Sequence, residues 1–180
     1  YSYLDLYVRN WNESQVRAGS GDDTITLTGT VESTTHNNNW SSGYYGNGKA
    51  YGRIYGEDGN DTIDASKTSA AYELNGGAGD DIIYGAQEYT NYINGGTGDD
   101  TITSSKGQTA FNKWSSIDGG DGNDTITSST TLGTTNTYIY GGNGDDIINA
   151  GDGDYEIYGD TGHIKNGRDD WWWNHYGIKE

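Results

Sequence analysis

The chain has 180 residues, of which 30 are glycine and none is cysteine or proline; its apolar fraction is 31% and its formal net charge −17. So little apolar material excludes a thick conventional core, and with that charge the composition alone is that of a disordered chain. Ten Lys and Arg are too few to cover a phosphate backbone, no apolar run reaches a membrane span, and neither disulfides nor thiolate metal sites are available; nucleic acid and membrane are not expected partners, and cations are.

In chain order, the amino end YSYLDLYVRNW has neither an initiating Met nor a signal-peptide layout, and is expected to cap a piece of a longer protein. A strand-like QVR then leads into AGSGDDTIT (18–26), a glycine-rich turn followed by a second short strand. The unit returns as RIY before GEDGNDTID (56–64), ELN before GGAGDDIIY (76–84), YIN before GGTGDDTIT (95–103), SID before GGDGNDTIT (119–127) and YIY before GGNGDDIIN (141–149). A seventh, degenerate copy is read at AGDGDYEIY (150–158), with Tyr155 where the others have aspartate. Each copy has an aspartate at its sixth place and an aliphatic residue at its eighth. The sixth-place residues Asp23, Asp61, Asp81, Asp100, Asp124 and Asp146 are 38, 20, 19, 24 and 22 positions apart.

These segments resemble the RTX, or hemolysin-type, calcium-binding repeats, whose nonapeptide is G-G-x-G-x-D-x-U-x. The resemblance covers residues 16–165 and implies an all-β fold, a right-handed parallel β-roll or β-solenoid in which calcium ions sit between stacked glycine turns. In the family two such nonapeptides make one coil. Here the spacing near 20 implies one calcium-binding turn per coil and so several ions in a single row. The sixth-place aspartates would supply carboxylates, and turn carbonyls such as those of Gly76, Gly79, Gly95, Gly98, Gly119, Gly122, Gly141 and Gly144 would supply most of the other oxygens. Asn75, Asn94 and Asp118, just before the glycine pair, stand as further candidate ligands. Calcium takes about 6–8 oxygen ligands, and glycine accepts the positive φ that aims several carbonyls at one point. The fifth-place residues Asp22, Asp80, Asp99 and Asp145 are expected to point outward and serve mainly solubility.

One acidic turn per coil leaves two inward aliphatic ladders with the period of two of half-buried strands. One is Val16, Ile54, Leu74, Ile93, Ile117 and Ile139; the other is Ile25, Ile63, Ile83, Ile102, Ile126 and Ile148. The links ASKTSAA, GAQEYT, SSKGQTAFNKW and SSTTLGTTNT are expected as polar loops outside the roll. Residues 27–51 fill a double spacing and read either as a coil that has lost its acidic turn or as an excursion. The tail RDDWWWNHYGIKE leaves the repeat, and Trp171, Trp172 and Trp173 are expected to cap the last coil. The whole chain is taken as one domain, with caps at 1–15 and 166–180.

Two exposed faces compete for attention. Tyr55, Tyr92, Tyr138, Tyr140 and Tyr158 fall on outward positions of one sheet, and Thr24, Thr26, Thr101, Thr103, Thr125 and Thr127 on those of the other. Cross-strand covering of tyrosines and the β-propensity of threonine explain both; a surface glycan, a protein or ice is the alternative partner. His36, His163 and His175 lack transition-metal spacing, and no nucleophile or phosphate-loop motif is present, so no catalytic residue and no enzyme activity is expected. The reading is a calcium-binding module of a larger secreted or cell-surface protein, which folds on extracellular calcium. By the resemblance, such proteins are often exported unfolded by type I secretion.

Overall fold

The computed structural model describes residues 15–29, 53–68, 70–87, 89–104, 114–128, 136–151, 154–159 and 163–165. Apart from Gln15, both expected caps lie outside the described residues. The described residues form strands, bends and short connections, with no helix. One seven-stranded sheet contains β1 (Gln15–Ser20), β3 (Arg53–Asp58), β5 (Ala70–Ala78), β7 (Tyr89–Thr97), β9 (Trp114–Asp121), β11 (Asn136–Asn143) and β13 (Asp154–Tyr158), in that order. The facing sheet contains β2 (Thr24–Gly29), β4 (Thr62–Thr68), β6 (Ile82–Tyr84), β8 (Thr101–Thr103), β10 (Thr125–Ser128), β12 (Ile147–Ala150) and β14 (His163–Lys165). All pairing is parallel. The chain is therefore a parallel β-solenoid, in which each odd strand turns through glycine into the even strand of its own coil.

Alternation fixes which side chains meet. Ile54 pairs with Leu74, Leu74 with Ile93, Ile93 with Ile117 and Ile117 with Ile139 on one sheet. Ile63, Ile83, Ile102, Ile126 and Ile148 do the same on the other. Every member of both predicted ladders is buried. A core two side chains thick is enough, because each aliphatic residue also packs on its copies one coil above and below.

Two expectations change and one open alternative narrows. The strands on either side of residues 30–52 pair directly, β1 with β3 and β2 with β4, so no coil is interposed between them. The links do not lie wholly outside the roll: Ala65, Ala86, Ser104, Ser128 and Thr137 at their ends are buried. They form a small-residue second layer behind the isoleucines, with the Ser104 and Ser128 hydroxyls 2.9 Å apart. Lastly, AGDGDYEIY is not a turn. Its YEIY portion lies in β13, where Tyr155 pairs with Thr137 and Ile157 with Ile139. Tyr155 is buried, and its hydroxyl donates to the Ser128 carbonyl at 3.4 Å. Tyr140 pairs with Tyr158 and Ile147 with His163, so the chain has two residues fewer between these positions than on the coil before, and its sequence there lacks the acidic pair.

This register predicts a contrast between neighbours. Ile102→Ala, which empties a fully buried ladder position, should destabilise the fold by about 2–5 kcal/mol, whereas Ile82→Ala, 39% exposed, should change stability by under about 0.5 kcal/mol. Urea unfolding of both variants in excess calcium measures the difference.

Candidate metal centre

The glycine turns stack along one edge and are hydrogen-bonded from coil to coil. The fourth-place amides of Gly59, Gly79, Gly98 and Gly122 donate to the carbonyls of Ala78, Thr97, Asp121 and Asn143 on the next coil, over 2.7–2.8 Å. Gly77, Gly79, Gly96, Gly98, Gly120, Gly122, Gly142 and Gly144 all have φ between +103° and +141°, a region that a Cβ makes costly. Glu57 occupies the second place of its turn with φ 80°, and is the only non-glycine residue with positive φ among those described.

The sixth-place carboxylates turn inward. One oxygen of each, Oδ1, accepts the backbone N–H of the sixth-place residue one coil earlier. Asp61 accepts from Asp23, Asp81 from Asp61, Asp100 from Asp81, Asp124 from Asp100 and Asp146 from Asp124, all within 2.7–2.9 Å. The other oxygen, Oδ2, is buried and has no hydrogen-bond partner in Asp61, Asp81, Asp100, Asp124 or Asp146. An unsatisfied buried carboxylate oxygen is costly, and here it recurs in five consecutive coils.

What surrounds each of these oxygens is specific. A Cβ built on Gly56, Gly76, Gly95 or Gly119 would collide at once with the Oδ2 of its own turn (Asp61, Asp81, Asp100 or Asp124) and with the carbonyl oxygen of the next coil's first glycine (Gly76, Gly95, Gly119 or Gly141). Carboxylate and carbonyl from adjacent coils thus converge beside a glycine Cα in four successive gaps. Hard oxygen donors in a carboxylate-and-carbonyl set suit calcium. No group of three or more His, Cys, Asp or Glu among the described residues could hold a metal, as expected for a site built from one carboxylate per coil and main-chain oxygen.

The structure therefore brings Asp61, Asp81, Asp100, Asp124 and Asp146 together with Gly76, Gly95, Gly119 and Gly141. Gly79, Gly98, Gly122 and Gly144 stack separately, each against the fourth-place carbonyl one coil earlier. Asn75, Asn94 and Asp118 occupy one register column and alternate with the buried residues Leu74, Ile93 and Ile117, which puts them on the outer face of their sheet. Asp23 stands apart because Ala18 fills the first place of its turn, where every later turn has glycine. Asp23 is not among the buried, unpartnered carboxylates, and a Cβ at the corresponding place of the later turns would collide with the Oδ2 of that turn.

Two features escaped the sequence reading. Gly56 does for Asp61 what Gly76 does for Asp81, a role visible in its place in the turn but masked by the irregular GEDG. The fifth-place side chains, expected to serve mainly solubility, are structural as well as exposed. Asp22, Asn60, Asp80, Asp99 and Asn123 each accept the backbone N–H of the fifth-place residue on the following coil, at 2.8–2.9 Å. Successive peptide planes in the turn face opposite ways along the stack, so two Asx ladders run in opposite directions, and only the inward one has a second oxygen that is buried without a partner.

A family comparison agrees with this geometry. The model for the RTX calcium-binding nonapeptide repeat matches residues 53–67, 73–88, 86–108, 115–129 and 132–163, together more than half of the chain. The chain belongs to the RTX calcium-binding repeat family. Comparison with curated proteins and with solved structures gave no significant match. The first turn, with Ala18, falls outside the RTX matches.

Burial, opposed by the donated backbone N–H and reinforced by neighbouring carboxylates, pushes Asp100 up from the ordinary 3.8 to about 7, and Asp81 and Asp124 to about 6. A carboxyl whose pKa is raised by folding favours the ion-free fold below its unfolded value, and this contribution is lost as pH rises through the folded value. Between about pH 4 and pH 7, protons therefore stabilise the ion-free roll and compete with a cation. As pH falls from 8 to 5.5 the residual β-signal in chelator should grow, while the calcium needed to fill the sites of the folded roll climbs. Circular dichroism in chelator checks the first and equilibrium dialysis against calcium the second, each at several pH values.

The glycine cradle makes a second, charge-neutral prediction. Gly95→Ala should displace the Asp100 carboxylate, remove at least one bound ion and raise the calcium midpoint several-fold, whereas Ala18→Gly should open the first gap and add one. Equilibrium dialysis against calcium counts the ions in each variant.

Proposed function

We propose that this RTX module is a calcium-dependent folding unit of a larger secreted or cell-surface protein, holding one row of ions along its glycine edge. The observation that carries this reading is the file of buried, unpartnered Oδ2 atoms in Asp61, Asp81, Asp100, Asp124 and Asp146. Adjacent coils of a parallel stack are about 4.8 Å apart, so ionised carboxylates at this spacing repel strongly, and the thin core has little with which to offset it. Bound calcium supplies positive charge and accepts the lone pairs of the carboxylate and carbonyl oxygens. Asp61 with Gly76, Asp81 with Gly95, Asp100 with Gly119 and Asp124 with Gly141 would hold it.

Since the cradles exist only when the coils are stacked, metal-binding free energy is folding free energy. Extracellular calcium modules bind with dissociation constants of about 10⁻⁴–10⁻³ M, which leaves such a chain unfolded where calcium is scarce and folded where it is plentiful. This is the behaviour required of a segment exported unfolded and set outside the cell. A structural and export role follows from it without any catalytic group.

The chain in chelator should show the circular dichroism of an expanded coil, and millimolar calcium should convert it cooperatively to β-structure. Millimolar magnesium should do so poorly, because it demands near-ideal octahedral geometry and gives up water reluctantly. A fully folded chain in chelator at neutral pH would refute the proposal.

A further inference from the structure

The outer face of the first sheet carries a groove of about 580 Å³ whose walls include Asn94, Asp118, Asp121, Tyr140 and Tyr158, and whose floor is the glycine backbone at Gly96, Gly120 and Gly142. One register column runs beneath it, pairing Arg17 with Tyr55, Tyr55 with Asn75, Asn75 with Asn94, Asn94 with Asp118, Asp118 with Tyr140 and Tyr140 with Tyr158. The last two rings stack with centroids 5.0 Å apart and planes 10° from parallel. Their faces are therefore directed along the stack. Tyr158 covers one face of Tyr140, and the opposite face is directed at the coil of Asp118, where the aromatic column stops and the groove begins.

The other end of the same column shows what fills such a step. The Arg17 guanidinium lies 4.7 Å from the centroid of Tyr55 and one coil away from it, and its Nη1 donates to Glu57 Oε1 at 2.6 Å. There an arginine occupies the place of the next ring and is held by cation–π attraction and a carboxylate. At Tyr140 the ring and an acid, Asp118, are present on the same register; Asp121, which also lines the groove, accepts the side-chain amide of Asn143. The two arginines among the described residues are engaged elsewhere, Arg17 with Glu57 and Arg53 with Glu73.

We propose that this groove is a binding site for a guanidinium group, an arginine side chain presented by a basic peptide segment of a partner, which stacks on Tyr140 and pairs with Asp118. The chain's −17 charge favours the encounter. Arginine is specified over lysine because a planar, weakly hydrated cation can stack and fork to a carboxylate at once, whereas an ammonium acts as a point charge. Asp118 lies on the outer face and is not one of the buried, unpartnered carboxylates of the file, so the site is available on the calcium-loaded roll, although its charge is felt at Asp124.

The test is an amide-resolved NMR titration of the calcium-saturated chain, in physiological salt, with acetyl-Gly-Arg-Gly-amide. Saturable shifts are expected at Asn94, Asp118, Gly120 and Tyr140, with millimolar affinity. Acetyl-Gly-Lys-Gly-amide should bind at least about threefold more weakly. Asp118→Asn and Tyr140→Leu should each weaken the arginine probe several-fold on the calcium-saturated, folded chain, and Tyr92→Leu, at an exposed tyrosine outside the groove, should leave it unchanged. Equal binding of the two peptides, non-saturating shifts, or indifference to Asp118→Asn would overturn the proposal. So would tighter binding of methyl glucoside than of the arginine probe, which would make the groove a saccharide site. Binding that appears only in Arg168→Ala would show that the chain fills the groove itself, and would equally sink an external partner.

Discussion

A file of like charges one coil apart inside a folded chain is the constraint on which the rest of this molecule depends. Each inward carboxylate spends one oxygen on the N–H of the previous coil and turns the other into a space walled by its own glycine and the next coil's carbonyl. Hydrogen bonding alone leaves that second oxygen unsatisfied, and packing cannot remove it, because the Oδ1 bond fixes the side chain in place. Positive charge entering the file would relieve that conflict. The raised carboxyl of Asp100, pushed to about 7, expresses the same conflict: without a metal ion, a proton is the cation available to relieve it.

The requirement explains the asymmetry of the two edges. On the glycine edge close approaches prescribe most of the glycines. A Cβ on Gly96 would collide with the Gly77 carbonyl, and one on Gly122 with that of Gly98, so substitution there is costly, and Glu57 at φ 80° is the exception among the described residues. The opposite edge has to return the chain to the next coil. Links of different length coexist there with an unbroken register, and β1 pairs with β3 and β2 with β4 although residues 30–52 intervene in the sequence. Variation in spacing, from 19 to 24 positions between successive inward aspartates from Asp61 onward, is therefore confined to the edge where it does no harm.

Much of this was legible because a solenoid writes its geometry as a period. The inward ladders from Val16 to Ile139 and from Ile25 to Ile148 were readable from alternation, and the carboxylate file from the sixth place of each copy. What alternation could not reveal was how peptide planes face within the turn. Asp99 and Asp100 are the same residue type in adjacent positions, yet one accepts from the coil after it and the other from the coil before it. Only the second keeps a spare buried oxygen. The misplaced seventh copy has a different cause. AGDGDYEIY imitates a glycine turn in composition, but Ile157 must stack on Ile139, and that aliphatic register overrides the local glycine spacing.

The ends of the file follow from two small departures that composition hides. At the first coil Ala18 carries a methyl group at the place where every later turn has glycine; at the seventh, two fewer residues between Tyr158 and His163 leave no acidic pair. In both cases the strands continue pairing beyond the last complete cradle, β1 with β3 and β12 with β14. The solenoid is thus longer than its file of charge. Such an arrangement is physically sensible, because a carboxylate at a bare end would have a neighbouring coil on one side only, and an ion there would lose half its oxygen ligands to water. Ordinary strand pairing shields the terminal cradles, and it is towards these ends that Arg17, Tyr55 and Glu57, and Tyr140 with Tyr158, complete the outer face with aromatic and ionic contacts.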